Sequence, residues 1–342
     1  ENSAPWKPTT VETISFSPPI FNFLQFLMIL LALVTVLGNA LVIVAFIGDK
    51  NLRLRSNYFF LNLAISDFLV GAICIPLYIP YALTNRWPFG RGVCKFWLVI
   101  DYLSCTASAF NIVLISYDRY QSVYNAVLYR IHQGLTTRAT AQMVAVWVLA
   151  FLVYGPAIVF WEHVKGRSNF SNGTCKVEFS SQWRFLVCAS VLEFLIPILA
   201  VAYFNLHIYW SIRARRCASP ASCGDRPPFT WTQRRGRPPR NCPHKSRFKL
   251  LRDRKMAKSL SIILIVFAIC WAPYSLFTII RAASGKEDDD PWYNLAFWLM
   301  WLNSSVNPFL YPLCHKHFRK AFLKVLCCRR STPMPQTQSL SS

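Results

Sequence analysis

Residues 97–120 read WLVIDYLSCTASAFNIVLISYDRY, an apolar run long enough to cross a hydrocarbon core, which takes about 20 helical residues. An acid, Asp101, interrupts its first third, and Asp118-Arg119-Tyr120 closes it. A second run, FLVCASVLEFLIPILAVAYF at 185–204, holds Glu193 near its middle. A charge at the centre of a membrane helix is disfavoured by at least about 2.5–3.5 kcal/mol, so one that is kept faces a water-filled cavity or a partner. No basic residue in the neighbouring apolar runs stands at a similar depth. The expected partner is a cation that arrives from outside the chain.

Working outward, seven stretches are long enough to span, at 22–47, 58–83, 93–123, 139–160, 184–212, 255–283 and 291–313. With 54% hydrophobic and 15% aromatic residues in 342, the chain is too apolar for an ordinary soluble protein. The fold class predicted is an all-α membrane protein, a seven-transmembrane helix bundle filling 22–313. Residues 1–21 are rich in Pro, Ser and Thr and read as a flexible segment on the outer face. The first apolar run follows that polar stretch and is too long for the core of a cleaved signal peptide. The Pro- and Arg-rich segment 214–252 reads as a disordered loop between two helices. At 314–327, basic residues alternate with Phe318, Phe322, Leu323 and Leu326, which predicts an amphipathic helix on the inner leaflet. Cys327 and Cys328 at its end are candidate palmitoylation sites, followed by a short tail at 328–342.

The net charge of +22 first suggests nucleic acid, but its placement excludes that reading. Loops 1–2, 3–4 and 5–6 and the tail carry most of the 37 Lys and Arg residues. This is the positive-inside asymmetry, which predicts a cytoplasmic C-terminus, an external N-terminus and contact between the basic loops and anionic lipid. The loop 161–183 agrees, because it holds two glycosylation sequons at Asn169 and Asn172. Cys175 lies in the same loop and Cys94 opens the third span on the same side, so a disulfide between them is chemically permitted.

Asp101 and Arg119 are 18 residues apart, five helical turns, so they share one face and lie ~27 Å apart along the axis. Ser108 falls between them. Other polar residues in the spans are Asn39, Asp67, Asn303, Ser304 and Asn307. If they face inward, Asp67 with Ser108, Asn303, Ser304 and Asn307 forms either an oxygen-lined site for a small hard cation, sodium, or a hydrogen-bond network with water. Asp67 is the metal-ligand candidate. Pro156, Pro197, Pro273 and Pro308 each remove a backbone donor inside a span and favour a kink.

Asn39, LNLAISDFLVG around Asp67, Asp118-Arg119-Tyr120, Trp147, Cys270-Trp271-Ala272-Pro273-Tyr274 and Asn307-Pro308-Phe309-Leu310-Tyr311 resemble, in order, the helix signatures of rhodopsin-like G-protein-coupled receptors. The resemblance covers about residues 20–327. Asp101, seven residues after Cys94, looks like the amine-anchoring aspartate of the aminergic branch. Glu193, with FNIVLISYDRY, WVLAFLVYGPAI and YPLCHKHFRKAF, is similar to the histamine receptors of the third and fourth subtypes. The 5–6 loop is shorter than that resemblance leads one to expect.

The resemblance implies a cell-surface receptor, not an enzyme, in the plasma membrane. It implies a histamine site lined by Asp101, Tyr102, Cys105, Glu193, Trp271, Tyr274, Phe297, Trp301 and Tyr78. A switch of Asp118, Arg119, Tyr120, Asp253 and Tyr311 would face a heterotrimeric G protein of the inhibitory class, and arrestin. No cofactor is implied beyond an allosteric sodium ion. The chemistry suits histamine: Asp101 takes the ammonium, Glu193 accepts from an imidazole N–H, and aromatic faces line the cation. Asp253 opens the sixth span where it either pairs with Arg119 at rest or is simply solvated. A receptor for another amine such as acetylcholine is the rival within the class. A transporter needs a continuous polar path, an opsin needs a lysine in 291–313, and an intramembrane enzyme needs a metal-binding His pair or a Ser/Lys dyad; none of these is in the spans.

Overall fold

A computed structural model describes residues 18–131, 136–165, 173–217, 243–285, 291–314 and 316–327. The described residues form a bundle of seven long helices and an eighth short one. These are α1 (Pro18–Gly48), α2 (Arg55–Thr84), α3 (Gly90–Tyr124), α4 (Thr136–Lys165), α5 (Trp183–Ser190 continuing through Ile196–Cys217), α6 (Pro243–Ser284), α7 (Pro291–Cys314) and α8 (Lys316–Leu326). A short helix at Ala126–Ile131 follows α3. Six helices, α1 to α6, are long and apolar enough to cross a membrane. α7 is diluted by Asn303, Ser304, Ser305 and Asn307, all buried, yet its 24 residues run ~36 Å, enough to span.

α3 is the axis of the bundle, packed on α2, α4, α5 and α6. Lipid tails give apolar helices little reason to associate, so small residues and buried hydrogen bonds hold such bundles together. Both devices occur here. Thr35 and Ser305 hydroxyls meet at 2.8 Å, and Asn39 Nδ2 donates to the Ser304 carbonyl, tying α1 to α7. Trp147 Nε1 donates to Asn62 Oδ1, and Asn62 Nδ2 to Asn111 Oδ1, joining α4, α2 and α3. At Gly71 an added Cβ would stand 2.9 Å from Thr35, so only glycine lets α1 and α2 approach there.

Two π turns interrupt otherwise regular helices, at Val70–Cys74 in α2 and Val191–Leu195 in α5. Each ends two residues before a proline, Pro76 and Pro197. Proline lacks an N–H and its ring crowds the carbonyl four residues earlier, so the preceding turn widens. Of the four prolines expected to perturb their spans, only Pro197 adjoins a change of helix type. Helix type is unchanged at Pro156, Pro273 and Pro308, while Pro76 was not anticipated.

The helices also reach further than the apolar runs. α1 begins at Pro18, inside the segment 1–21 expected to be flexible. The expected disordered stretch 214–252 needs correcting at both ends: α5 continues to Cys217 and α6 starts at Pro243. Proline is favoured in the first turn of a helix, and 244–258 contains no Gly or Pro to stop it. At one end of the bundle Cys94 and Cys175 form a disulfide. The Trp87 N–H donates to the Gly173 carbonyl at 2.7 Å, and Glu162 of α4 pairs with Arg91 and Lys95 of α3. At the other end Phe318 and Ala321 of α8 are buried, Phe318 against Phe60 and Tyr311, whereas Leu323 and Leu326 face outward.

Candidate ligand site and switch

Asp101 points into the bundle from α3, buried to 3% exposure. Its Oδ1 accepts from Trp301 Nε1 at 2.9 Å and from the Cys105 thiol at 3.8 Å. Glu193 sits on the widened turn of α5. Its two oxygens accept from different helices: Oε1 from Thr106 Oγ1 at 2.8 Å and Oε2 from Tyr154 OH at 2.5 Å. Among the described residues neither acid is ion-paired with a basic side chain. Among the described residues the two carboxylates are therefore held by neutral donors alone.

Rings close the space around them. Tyr78 packs on Phe297 and Trp301 at centroid distances of 5.1 and 5.2 Å, and Phe297 lies 4.4 Å from Trp301. Tyr274 lies 5.6 Å from Phe297, and Tyr102 lies 4.6 Å from Tyr154. Trp271 is buried one layer deeper, against Phe267 at 5.3 Å. All nine residues expected to line a ligand site thus fall on the inward sides of α2, α3, α5, α6 and α7. Two were missed, Thr106 and Tyr154. A hydroxyl in an apolar run was the available signal, but only the packing of α3 and α4 against α5 reveals that both meet Glu193.

Asp67, fully buried in α2, accepts from Ser108 Oγ at 3.0 Å and from Asn307 Nδ2 at 2.8 Å. Asn303 Oδ1 is buried without a hydrogen-bond donor. A carboxylate, a serine oxygen and an undonated amide oxygen are hard ligands, the kind sodium takes. Asn307 departs from that set, since it presents an N–H to Asp67.

At the far end of α3, Asp118 Oδ2 accepts from Tyr129 OH at 2.9 Å, a partner from the short helix that the sequence did not suggest. Burial, then the charge of Asp118, push the Tyr129 phenol up to about 12. The Arg55 guanidinium stands over the same ring at 5.9 Å. Arg119 lies over the Phe60 ring of α2 at 5.6 Å, and Tyr311 packs on that ring from α7 at 4.9 Å. Tyr120 departs from this cluster and turns to α5, 5.4 Å from Phe204 and 6.1 Å from His207. Asp253 is in α6, but its side chain lies outside the described residues, as do Asn169, Asn172 and Cys328. Cys327 is exposed at the end of α8.

Uncompensated acids near one end of a membrane bundle and an Asp-Arg-Tyr cluster at the other are the parts of a transmembrane signal receptor. Residues 38–311 match the 7 transmembrane receptor (rhodopsin family). Across 98% of its length the chain is 46% identical to the histamine H4 receptor of Homo sapiens, covering 99% of that protein. It is 45% identical to the histamine H4 receptor of Mus musculus over 93% of the chain and 96% of that protein. Identity to the muscarinic acetylcholine receptor M1 of Macaca mulatta is 27%, over 88% of each. The chain belongs to the rhodopsin family of seven-transmembrane receptors, multi-pass membrane proteins that are receptors and not enzymes.

Proposed function

We propose that this receptor binds histamine between Asp101 and Glu193 and activates a heterotrimeric G protein of the inhibitory class, lowering cyclic AMP. The observation that carries the ligand is the pair of buried acids, on α3 and on the π turn of α5, that have no basic partner among the described residues. Histamine has two hydrogen-bonding ends a few bonds apart. Its ammonium meets Asp101 within the Tyr78, Phe297 and Trp301 rings, and its imidazole donates an N–H to Glu193. The high identity to two histamine H4 receptors supports the same ligand.

In this reading the disulfide end faces outward, with Asn169 and Asn172 glycosylated, and the basic loops face the cytoplasm. Agonist binding moves α6 outward, away from Arg119, and opens a cleft for the G protein, and later for arrestin. Sodium at Asp67, Ser108, Asn303 and Ser304 favours the closed arrangement, and palmitate on Cys327 and Cys328 anchors α8. A receptor for acetylcholine is the second reading, favoured by the muscarinic relative; acetylcholine has no N–H to give Glu193. Nucleotide exchange on a purified inhibitory heterotrimer, driven by this receptor in vesicles, tests the two. Histamine should accelerate exchange at micromolar concentration or below and acetylcholine should not. Acceleration by acetylcholine alone would reverse the assignment.

A further inference from the structure

Arg55 and Arg119 are the two buried basic residues among the described residues, at 6% and 8% exposure. Arg119 belongs to the switch described above. Arg55, the first residue of α2, does not. Its Nη2 reaches Gln142 Oε1 of α4 at only 3.5 Å, and its Nε has no hydrogen-bond partner. The guanidinium lies 5.9 Å from the centre of the Tyr129 ring, and among the described residues no carboxylate stands within ion-pair distance of it. Buried charges are paired as a rule, because neutral contacts do not make up for the water they lose.

A complementary group is left unmet beside the same tyrosine. Asp118 is 2% exposed; its Oδ2 accepts from Tyr129 OH at 2.9 Å, while its Oδ1 has no donor. Among the described residues the charged or titratable groups that act on Asp118 are Arg119 beside it in α3, Tyr129 on the short helix and Arg55 on α2. Tyr129 touches both unmet groups, the acid with its hydroxyl and the cation with its ring. A buried guanidinium and a buried carboxylate, each with an idle position, are thus kept apart by one side chain on a helix of 6 residues.

Asp118 has Arg119 as its neighbouring cation in the described arrangement. In the reading above, α6 moves away and the G protein enters beside Arg119, which draws that guanidinium from the acid. A buried carboxylate that loses a cation either takes up a proton or gains another cation. We infer that Arg55 is a positioning residue for signalling: it closes on Asp118 Oδ1 as Arg119 departs, so the acid stays ionised and the switch turns without a proton. Arginine suits this task, since it keeps its charge at any physiological pH and carries it on a long stem. Without Arg55 the signalling arrangement has to hold a protonated Asp118. That arrangement is then favoured by acid, by up to about tenfold for each unit that the pH falls. The inference rests on the receptor reading above, but not on the identity of its ligand.

The test uses the full-length receptor in membranes as wild type, Arg55→Gln, Arg55→Lys and Arg55→Gln combined with Asp118→Asn. It reads nucleotide exchange on an inhibitory heterotrimer at about pH 8 and about pH 6, basal and at saturating histamine, with binding of a radiolabelled antagonist amine alongside. Each rate is taken as a ratio to wild type at the same pH, which cancels the responses of the G protein and of histamine. Arg55→Gln should stand at least fivefold below wild type at the higher pH and within twofold of it at the lower, with antagonist affinity within twofold at both. Arg55→Lys, which keeps a cation, should recover at least half of the lost exchange at the higher pH. In the double variant the ratio should agree within twofold between the two pH values, since no carboxylate is left to protonate. A ratio for Arg55→Gln that does not change with pH overturns the inference, because Arg55 would then be tolerated or serve only to pack on Tyr129. So does a lysine variant as silent as the glutamine variant, or a pH response that survives Asp118→Asn. Loss of antagonist binding in Arg55→Gln also overturns it, since Arg55 would then be needed for the fold. If wild type drives no exchange on the inhibitory heterotrimer, the coupling class fails by itself, and the same ratios on a heterotrimer of another class decide Arg55.

Discussion

Asp101 and Glu193 are both buried acids without a cationic partner among the described residues, yet they are held in different ways. Asp101 stands on an unbroken stretch of α3, the helix that four others pack against, and its bonded oxygen meets an indole N–H and a thiol. Glu193 stands on a widened turn ahead of a proline, and both of its oxygens are taken by hydroxyls from two other helices. The first acid is placed by a rigid rod and the second by its hydrogen bonds. A ligand charge docked on Asp101 therefore meets a fixed anchor, whereas a group docked on Glu193 meets an acceptor whose position can be released.

Four substitutions probe this difference, in descending order of effect. Asp101→Asn removes the anchor charge and should weaken every amine at least ~100-fold, consistent with the loss of a charged hydrogen bond at the upper end of 1.5–3 kcal/mol; competition binding against a labelled antagonist measures it. Any amine that keeps its affinity would show that Asp101 is not the common anchor. Glu193→Gln should weaken histamine ~10–100-fold on the same scale and change an amine lacking an imidazole less than ~3-fold. Equal losses for the two ligands would make Glu193 a structural residue and erase the contrast. Trp301→Phe deletes the indole donor to Asp101 and should lower the affinity of all amines ~3–10-fold, within the range for one neutral hydrogen bond. Tyr154→Phe frees one oxygen of Glu193 and should change histamine affinity by ~2–5-fold, leaving the imidazole-free amine alone. The Trp301 and Tyr154 variants together separate the two acids: the same ligand profile from both would mean that they act as one unit.

Much of this was legible in the sequence, for a simple reason. A span needs about 20 apolar residues, so α1 to α6 announce themselves, and an acid inside a span is conspicuous because lipid offers it nothing. The limits of the helices were less legible. Apolar runs mark where a helix meets lipid, but α6 starts at Pro243 in a basic stretch that hydropathy reads as loop. Tyr154 and Thr106 were missed because a hydroxyl is tolerated in a span wherever it points, and the choice of Glu193 as acceptor depends on packing between helices. Tyr129 was missed because six helical residues after a break carry no periodicity to read. Pro76 shows the opposite failure: it is plainly visible in the sequence, but its effect on the turn before it is indistinguishable there from the milder behaviour of Pro156 and Pro273.

The wide turn in α5 has a geometric consequence for the whole helix. Its buried positions Ala189, Glu193, Pro197, Val201 and Asn205 follow one another at intervals of four. At about 100° per residue, sixteen residues overshoot four full turns by ~160°, so in a perfectly regular rod the first and last of these would point in nearly opposite directions. The wider turn at Val191–Leu195 takes up part of that rotation. The widened turn thus helps Ala189 before it and Glu193 within it face the same interior as Val201 and Asn205 beyond it.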